Sequence, residues 1–158
     1  KKLNNDYSIS YISKRFRNNL IKSYSSKSSL KYGRLIFLDK VVILGGEISC
    51  KGDSLLIEEY PRLNFICVFD LKNKKKLFKK LSITNSVNSD PINLNIKGSL
   101  NLLNKKINFK KIFINNNYAA NEEDIKFFKE TFENILFNEG FFNIFKKDKI
   151  KNFLQAVV

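Results

Sequence analysis

The sequence predicts an α+β fold: an antiparallel β-sheet with strands within about residues 30–114, then two C-terminal amphipathic helices. Three observations predict it. Short β-branched and aromatic runs crowd the stretch from Leu30 to Ile114. The apolar period changes from 2 to 3.6 residues after Asn115-Asn116-Asn117. Strands come first and helices last, which excludes the alternation of a parallel βαβ sheet.

Residues 1–29 are polar, serine-rich and basic, with isolated apolar residues such as Tyr7, Ile9, Tyr11 and Ile12. Ile12, Phe16 and Leu20 have weak helical spacing, and Ser23 to Ser29 resembles a linker. The expectation is a basic linker or the end of a preceding unit, with 30–158 as the sheet-and-helix unit of a longer chain. The start at Lys1-Lys2-Leu3, in a sequence without methionine, gives the same expectation of a fragment.

Arg34 to Leu38 and Val41 to Leu44 read as two short strands split by a tight turn at Asp39-Lys40. Gly45-Gly46 permits a bend before Glu47-Ile48-Ser49-Cys50. Lys51-Gly52-Asp53 reads as a further turn ahead of Leu55-Leu56-Ile57. From Leu63 to Asp70 one face carries Leu63, Phe65, Cys67 and Phe69, and the other carries Ile66 and Val68. Six of the nine residues from Lys72 to Lys80 are lysine, which reads as a surface loop or a lysine-protected edge strand. Within it Lys74, Lys75, Lys76, Lys79 and Lys80 are the candidates for an anionic headgroup or nucleic-acid contact.

The clearest alternation puts Ile92, Leu94, Ile96, Leu100 and Leu102 on one face of a strand. Asn104-Lys105 makes the turn, and Ile107-Asn108-Phe109 starts the return strand of a long hairpin. The apolar phase slips at Lys110-Lys111, so Ile112 and Ile114 point the other way unless a bulge intervenes. Asn121 is an N-cap ahead of Glu122, Glu123 and Asp124, whose carboxylates favour the positive end of the helix dipole. Ile125, Phe128, Phe132, Ile135 and Leu136 follow at helical spacing, and Gly140 suits the C′ position. A second helix runs from about Lys147, with Ile150, Phe153, Leu154 and Val157 on one face.

The 158 residues are enough for one domain with a core, and 43% are hydrophobic. No window holds the roughly 18 apolar residues of a spanning helix. The net charge of +14 invites a nucleic-acid reading, but only four of the 29 basic residues are arginine. Arginine's planar fork is what bidentate phosphate and base recognition favour. Lysine, asparagine, isoleucine and phenylalanine share A/T-rich codons, so the charge also fits solvated lysines under mutational bias.

Histidine is absent, which removes the commonest general base and rules out serine–histidine and cysteine–histidine nucleophiles within these residues. Gly45-Gly46 lacks the ending of a phosphate-binding loop. Glu58-Glu59 would face opposite sides of a strand, and the 122–124 acids start a helix. No catalytic residue, metal site or cofactor is expected. Cys50 and Cys67 leave two readings open: one disulfide if their strands are neighbours, or two small buried residues. The fifteen phenylalanines include a dense C-terminal group at Phe127, Phe128, Phe137, Phe141, Phe142 and Phe145. They either fill the space between helices and sheet or leave apolar surface for acyl chains or a neighbouring module.

The hairpin from Gly98 to Ile112, the stretch Asn121 to Ile125 with its phenylalanine-rich helix, and the closing run Phe145 to Phe153 carry a resemblance. With Gly46-Glu47-Ile48 and Glu59 to Leu63, they make residues 30–155 similar to the C-terminal region of AsmA-like proteins from A/T-rich alphaproteobacteria. The resemblance implies a long curved antiparallel sheet with an apolar groove, non-enzymatic, acting in outer-membrane biogenesis and bridge-like phospholipid movement. It implies a periplasmic location, anchored in the inner membrane by an N-terminal helix outside this sequence. Groove-lining candidates are then Phe65, Cys67, Phe69, Ile92, Leu94, Ile96, Leu100 and Leu102. Phospholipid or a membrane surface, the rest of the same chain and other envelope proteins are the expected partners. A nucleic acid is the less favoured one. The competing expectation for the apolar face is that the two C-terminal helices simply cover it.

Overall fold

The structure is a computed structural model, described here for residues 4–13, 20–83, 91–137 and 146–157. Eight strands make one open, curved antiparallel sheet in which spatial order follows chain order. They are β1 (Asn5–Ile12), β2 (Ile21–Lys31), β3 (Arg34–Ile43), β4 (Gly46–Leu55), β5 (Arg62–Leu71), β6 (Ile92–Asn101), β7 (Ile107–Ile114) and β8 (Tyr118–Ala119). Helix α1 (Lys74–Leu81) connects β5 to β6. Helix α2 (Glu122–Phe132) continues through a π-helical turn at Glu133–Phe137, and α3 (Lys147–Val157) follows. The α+β expectation, with an antiparallel sheet and two C-terminal helices, matches this architecture.

The strands begin earlier than the sequence suggested. The stretch expected to be a linker supplies β1 and β2, paired to each other and to β3 through unbroken antiparallel registers over most of their length. The reason is compositional. β1 alternates Tyr7, Ile9 and Tyr11 with Asp6, Ser8 and Ser10, but over a short and wholly exposed run, and five of the eleven residues of β2 are serine, which leaves that strand little apolar alternation. Of the expected helical spacing, Ile12 ends β1, Leu20 precedes β2, and Phe16 lies outside the described residues.

Two expected turns are strand interiors. Asp39 and Lys40 lie within β3 because each finds a partner across the sheet. The Tyr24 hydroxyl donates to Asp39 Oδ1 at 3.3 Å, and Lys40 Nζ lies 2.8 Å from Glu47 Oε2. Lys51-Gly52-Asp53 lies within β4, where Gly52 faces Phe37 on one side and Phe65 on the other. Leu55 ends β4, so Leu56 and Ile57 fall in a turn and not in a strand. The real β3–β4 turn uses Leu44-Gly45, with Gly45 at φ +98°.

The lysine-rich run is a helix and not a loop or edge strand. Asn73 caps α1, its side chain accepting from the Lys76 N–H at 3.1 Å. Leu77, Phe78 and Leu81 are buried at helical spacing, and the lysines around them masked that short apolar stripe.

Of the two possibilities left open at Lys110-Lys111, the bulge holds. The β6–β7 register shifts between Lys97 and Gly98, so Lys97 pairs with Lys111 while Gly98 pairs with Phe109. The extra residue, Lys110, returns Ile112 to the face of Ile107 and Phe109. The cap of α2 is also as read from the sequence: the Asp124 N–H donates to Asn121 Oδ1 at 2.8 Å, and the Asn121 N–H donates to Asp124 Oδ2 at 3.3 Å. The expected C′ residue Gly140, with Phe141, Phe142 and Phe145, lies outside the described residues.

The core lies on one sheet face and has two parts. Ile96, Ile107, Phe109 and Ile112 are buried beneath Ile125, Phe128 and Phe132 of α2. Phe109 stacks edge-on with Phe128 and Phe132 at 5.1 and 5.4 Å, and Phe153 of α3 closes on both of those rings. At one end of the same face, Leu71 packs with Leu77, Phe78 and Leu81 of α1, joined by Ile43, Ile92 and, from α3, Ile150 and Leu154.

Candidate functional site

Strand alternation and register place residues of successive strands in rows across the helix-bearing face. One row reads Tyr7, Ser28, Phe37, Gly52, Phe65, Gly98, Phe109, alternating ring and small residue. The alternation is steric. A Cβ on Gly52 would meet the Phe37 ring, and one on Gly98 would meet the Phe65 ring. The next row passes through Asp39, Cys50, Cys67 and Ile96. Cys50 and Cys67 are directly opposed and joined by a disulfide, so the first of the two readings left open by the sequence holds. A third row runs Tyr24, Val41, Ile48, Phe69, Leu94.

The helices cover only part of this face. The apolar clusters beneath them draw on β5, β6 and β7, and otherwise reach only Ile43 of β3 among the described strand residues. Across β3 and β4 the same face continues with Leu35, Phe37, Val41 and Ile48, all half-buried with no described helix packed into their cluster. Further out, Tyr7, Ile9 and Tyr11 of β1 are 51%, 60% and 54% exposed. The disulfide stands at the border between the sealed and the open halves.

The residues proposed from sequence fall mostly on the sealed side. Phe65, Phe69, Leu94, Ile96 and Leu100 all belong to the cluster under α2, and Ile92 to the cluster under α1. Cys67 is held in the disulfide, and Leu102 lies in the turn after β6. Six of these eight therefore contribute to helix packing. The open half was missed because β3 was divided at Asp39-Lys40. Without that division, Leu35, Phe37, Val41 and Ile43 form a period-2 apolar set legible in the sequence.

The lysine candidates sit on α1. Lys75, Lys76, Lys79 and Lys80 are exposed, whereas Lys74 is buried at 7% exposure. The opposite sheet face carries the charge pairs between strands: Lys31 with Asp6 at 3.0 Å, Arg34 with Asp53 at 3.1 Å, and Lys40 with Glu47. Asp6 is held below the ordinary carboxylate range by a hydrogen bond from Ser29 and by Lys31. A recess of about 390 Å³ opens there between β1, β2 and β3, lined mainly by apolar surface beside Ile36 and Leu38, with Asp6 and Lys27 also in its lining. Tyr118, whose hydroxyl donates to Asp124 at 2.7 Å, is pushed up by that bond. Both shifted groups are at the surface.

No protein-family model, curated protein or solved structure matches this chain. Among the described residues no helix is long and apolar enough to cross a membrane.

Proposed function

We propose that this chain is a non-enzymatic segment of an envelope-biogenesis protein of AsmA-like type, presenting an apolar sheet face to phospholipid acyl chains. One observation carries the reading: beyond the part that helices cover over β5 to β7, the same face carries Leu35, Phe37, Val41 and Ile48 on β3 and β4, broken by Asp39, and no described helix packs over these four. Leu35, Phe37, Val41 and Ile48 are its floor, and they form the site of the proposal in place of the residues beneath α2. A ten-residue strand such as β3 is about 33 Å long, so the floor suits an extended chain. Each methylene removed from water contributes about 0.8 kcal/mol, and a few suffice for useful affinity.

The Cys50–Cys67 disulfide supports an oxidising compartment, consistent with a periplasmic location at the inner membrane. The exposed lysines of α1 are the proposed contacts to anionic headgroups, at the end of the face where α1 packs. Other partners in this reading are the rest of the same chain and neighbouring envelope proteins.

Titration with a phospholipid bearing a fluorescent acyl chain tests the reading. Binding that hardly changes with salt supports apolar burial. Failure to bind the lipid, with salt-sensitive binding of an oligonucleotide instead, points to a phosphate-binding surface.

A further inference from the structure

A recess of about 220 Å³ opens where β5 begins, beside the β6–β7 turn and α2. Arg62 of β5, Lys106 of the turn and Lys129 of α2 bring three cations to it, each from a different part of the fold. Local pairing fixes their places. Arg62 lies opposite Asn101 on β6, and the Asn101 N–H donates to Lys106 O at 2.9 Å. The Leu102 N–H donates to Pro61 O at 3.1 Å, which ties the turn to the start of β5. Lys129 follows Phe128, whose ring packs on Phe109 of β7 and so anchors α2 beside the recess. Among the described residues, none of the three cations is ion-paired and no carboxylate lines the recess.

The neutral groups of the lining are donors too. Asn101 Oδ1 accepts from the N–H groups of Leu103 and Asn104, at 2.9 and 3.2 Å. Asn104 Oδ1 accepts from the Lys106 N–H at 3.0 Å. A backbone N–H can only donate, so the turn occupies both side-chain oxygens and leaves both Nδ2 groups as donors. Ser99, 5% exposed, adds a hydroxyl that can donate as well. A lining of cations and donors without a carboxylate is complementary to an anion.

Size and charge narrow the choice. At about 220 Å³ the recess is smaller than the roughly 300–1,000 Å³ of sites for drug-sized ligands, so it suits one compact group. A carboxylate brings two oxygens and one charge to three cations. A phosphate monoester brings three strong acceptor oxygens and about two negative charges. The Arg62 fork can hold two of those oxygens, with Lys106 and Lys129 acting as point charges. We propose that this recess binds a phosphate monoester, carried by a lipid headgroup or by a soluble compound. The ten residues of β5, roughly 33 Å, separate it from α1, so it is a site distinct from the α1 lysines. The inference rests on the recess alone and is independent of what the apolar face binds.

Isothermal titration calorimetry with inorganic phosphate at low salt tests it, together with flotation on phosphatidylcholine vesicles with and without phosphatidic acid. The wild-type protein is expected to bind phosphate. Arg62→Gln and Lys129→Gln each weaken that binding about tenfold or more with an unchanged circular dichroism spectrum. Lys51→Gln, at an exposed position on β4, leaves it unchanged. Vesicle binding that requires phosphatidic acid and falls in Arg62→Gln sustains the proposal with a lipid headgroup as the ligand. Phosphate binding without that vesicle effect sustains it with a soluble phosphate ester. Wild-type protein that binds no phosphate overturns the proposal, as does a loss in Lys51→Gln as large as that in Arg62→Gln.

Discussion

Phe37 on β3 lies across Gly52 on β4, its Cε1 2.6 Å from where a Cβ at position 52 would stand. The same hypothetical Cβ would overlap the backbone oxygen of Asn64 on β5 even more severely. A ring can tilt away, but a paired strand cannot yield without losing its ladder. Alanine would ordinarily favour a strand over glycine by a few tenths to 1 kcal/mol. Here the overlap outweighs that gain, and Gly52→Ala is expected to destabilise by about 1–3 kcal/mol in urea unfolding. Adding Phe37→Leu relieves only the ring contact, so it should restore little of the loss.

The disulfide closes a loop of 17 residues, for which loop entropy corresponds to about 3 kcal/mol of stability. Reductant is therefore expected to lower the urea midpoint of the wild-type chain. The Cys50→Ser, Cys67→Ser double variant should start at the lowered midpoint and ignore reductant. Equal midpoints for all of these samples would contradict the assignment.

Ser54 is 1% exposed, and its Oγ has no hydrogen-bond partner among the described residues. A buried hydroxyl without a partner costs free energy that a methyl group does not. Ser54→Ala is expected to leave stability unchanged or raise it by about 1 kcal/mol. Unfolding at a lower urea midpoint than wild type would show that the hydroxyl is satisfied.

What was legible in the sequence divides by how one-sided each element's burial is. The β6–β7 hairpin announces itself because Leu94 and Ile96 alternate with asparagines and a lysine, and the slip at Lys110-Lys111 marks the place where either a bulge or a reversed face must follow. The start of α2 is legible because Asn121 and Asp124 satisfy each other's backbone donors locally. β1 was hidden because its alternating run is short and exposed throughout, and β2 because serines at its half-buried positions give it no apolar pattern. β3 was cut in two because Asp39 and Lys40 look like turn residues until Tyr24 and Glu47 arrive from other strands. In α1, three buried apolar residues are too few to outweigh the lysines between them.

The candidate site followed the same logic. Period-2 alternation identified the apolar faces of β5 and β6, but not where the helices would rest. Which strands α2 covers is set by Phe109 meeting Phe128 and Phe132, a contact between distant parts of the chain. Local pattern carries no information about it. The open half therefore emerged from packing, and its floor residues from the undivided β3.

The central claim is that this open half holds acyl chains. Native mass spectrometry of the purified protein, followed by organic extraction and lipid analysis, tests it most directly. The account predicts co-purifying phospholipid, lost when Leu35→Asp and Val41→Asp are introduced together into a chain that keeps its circular dichroism spectrum. Wild-type protein free of lipid, or phospholipid retained by the folded double variant, would contradict it.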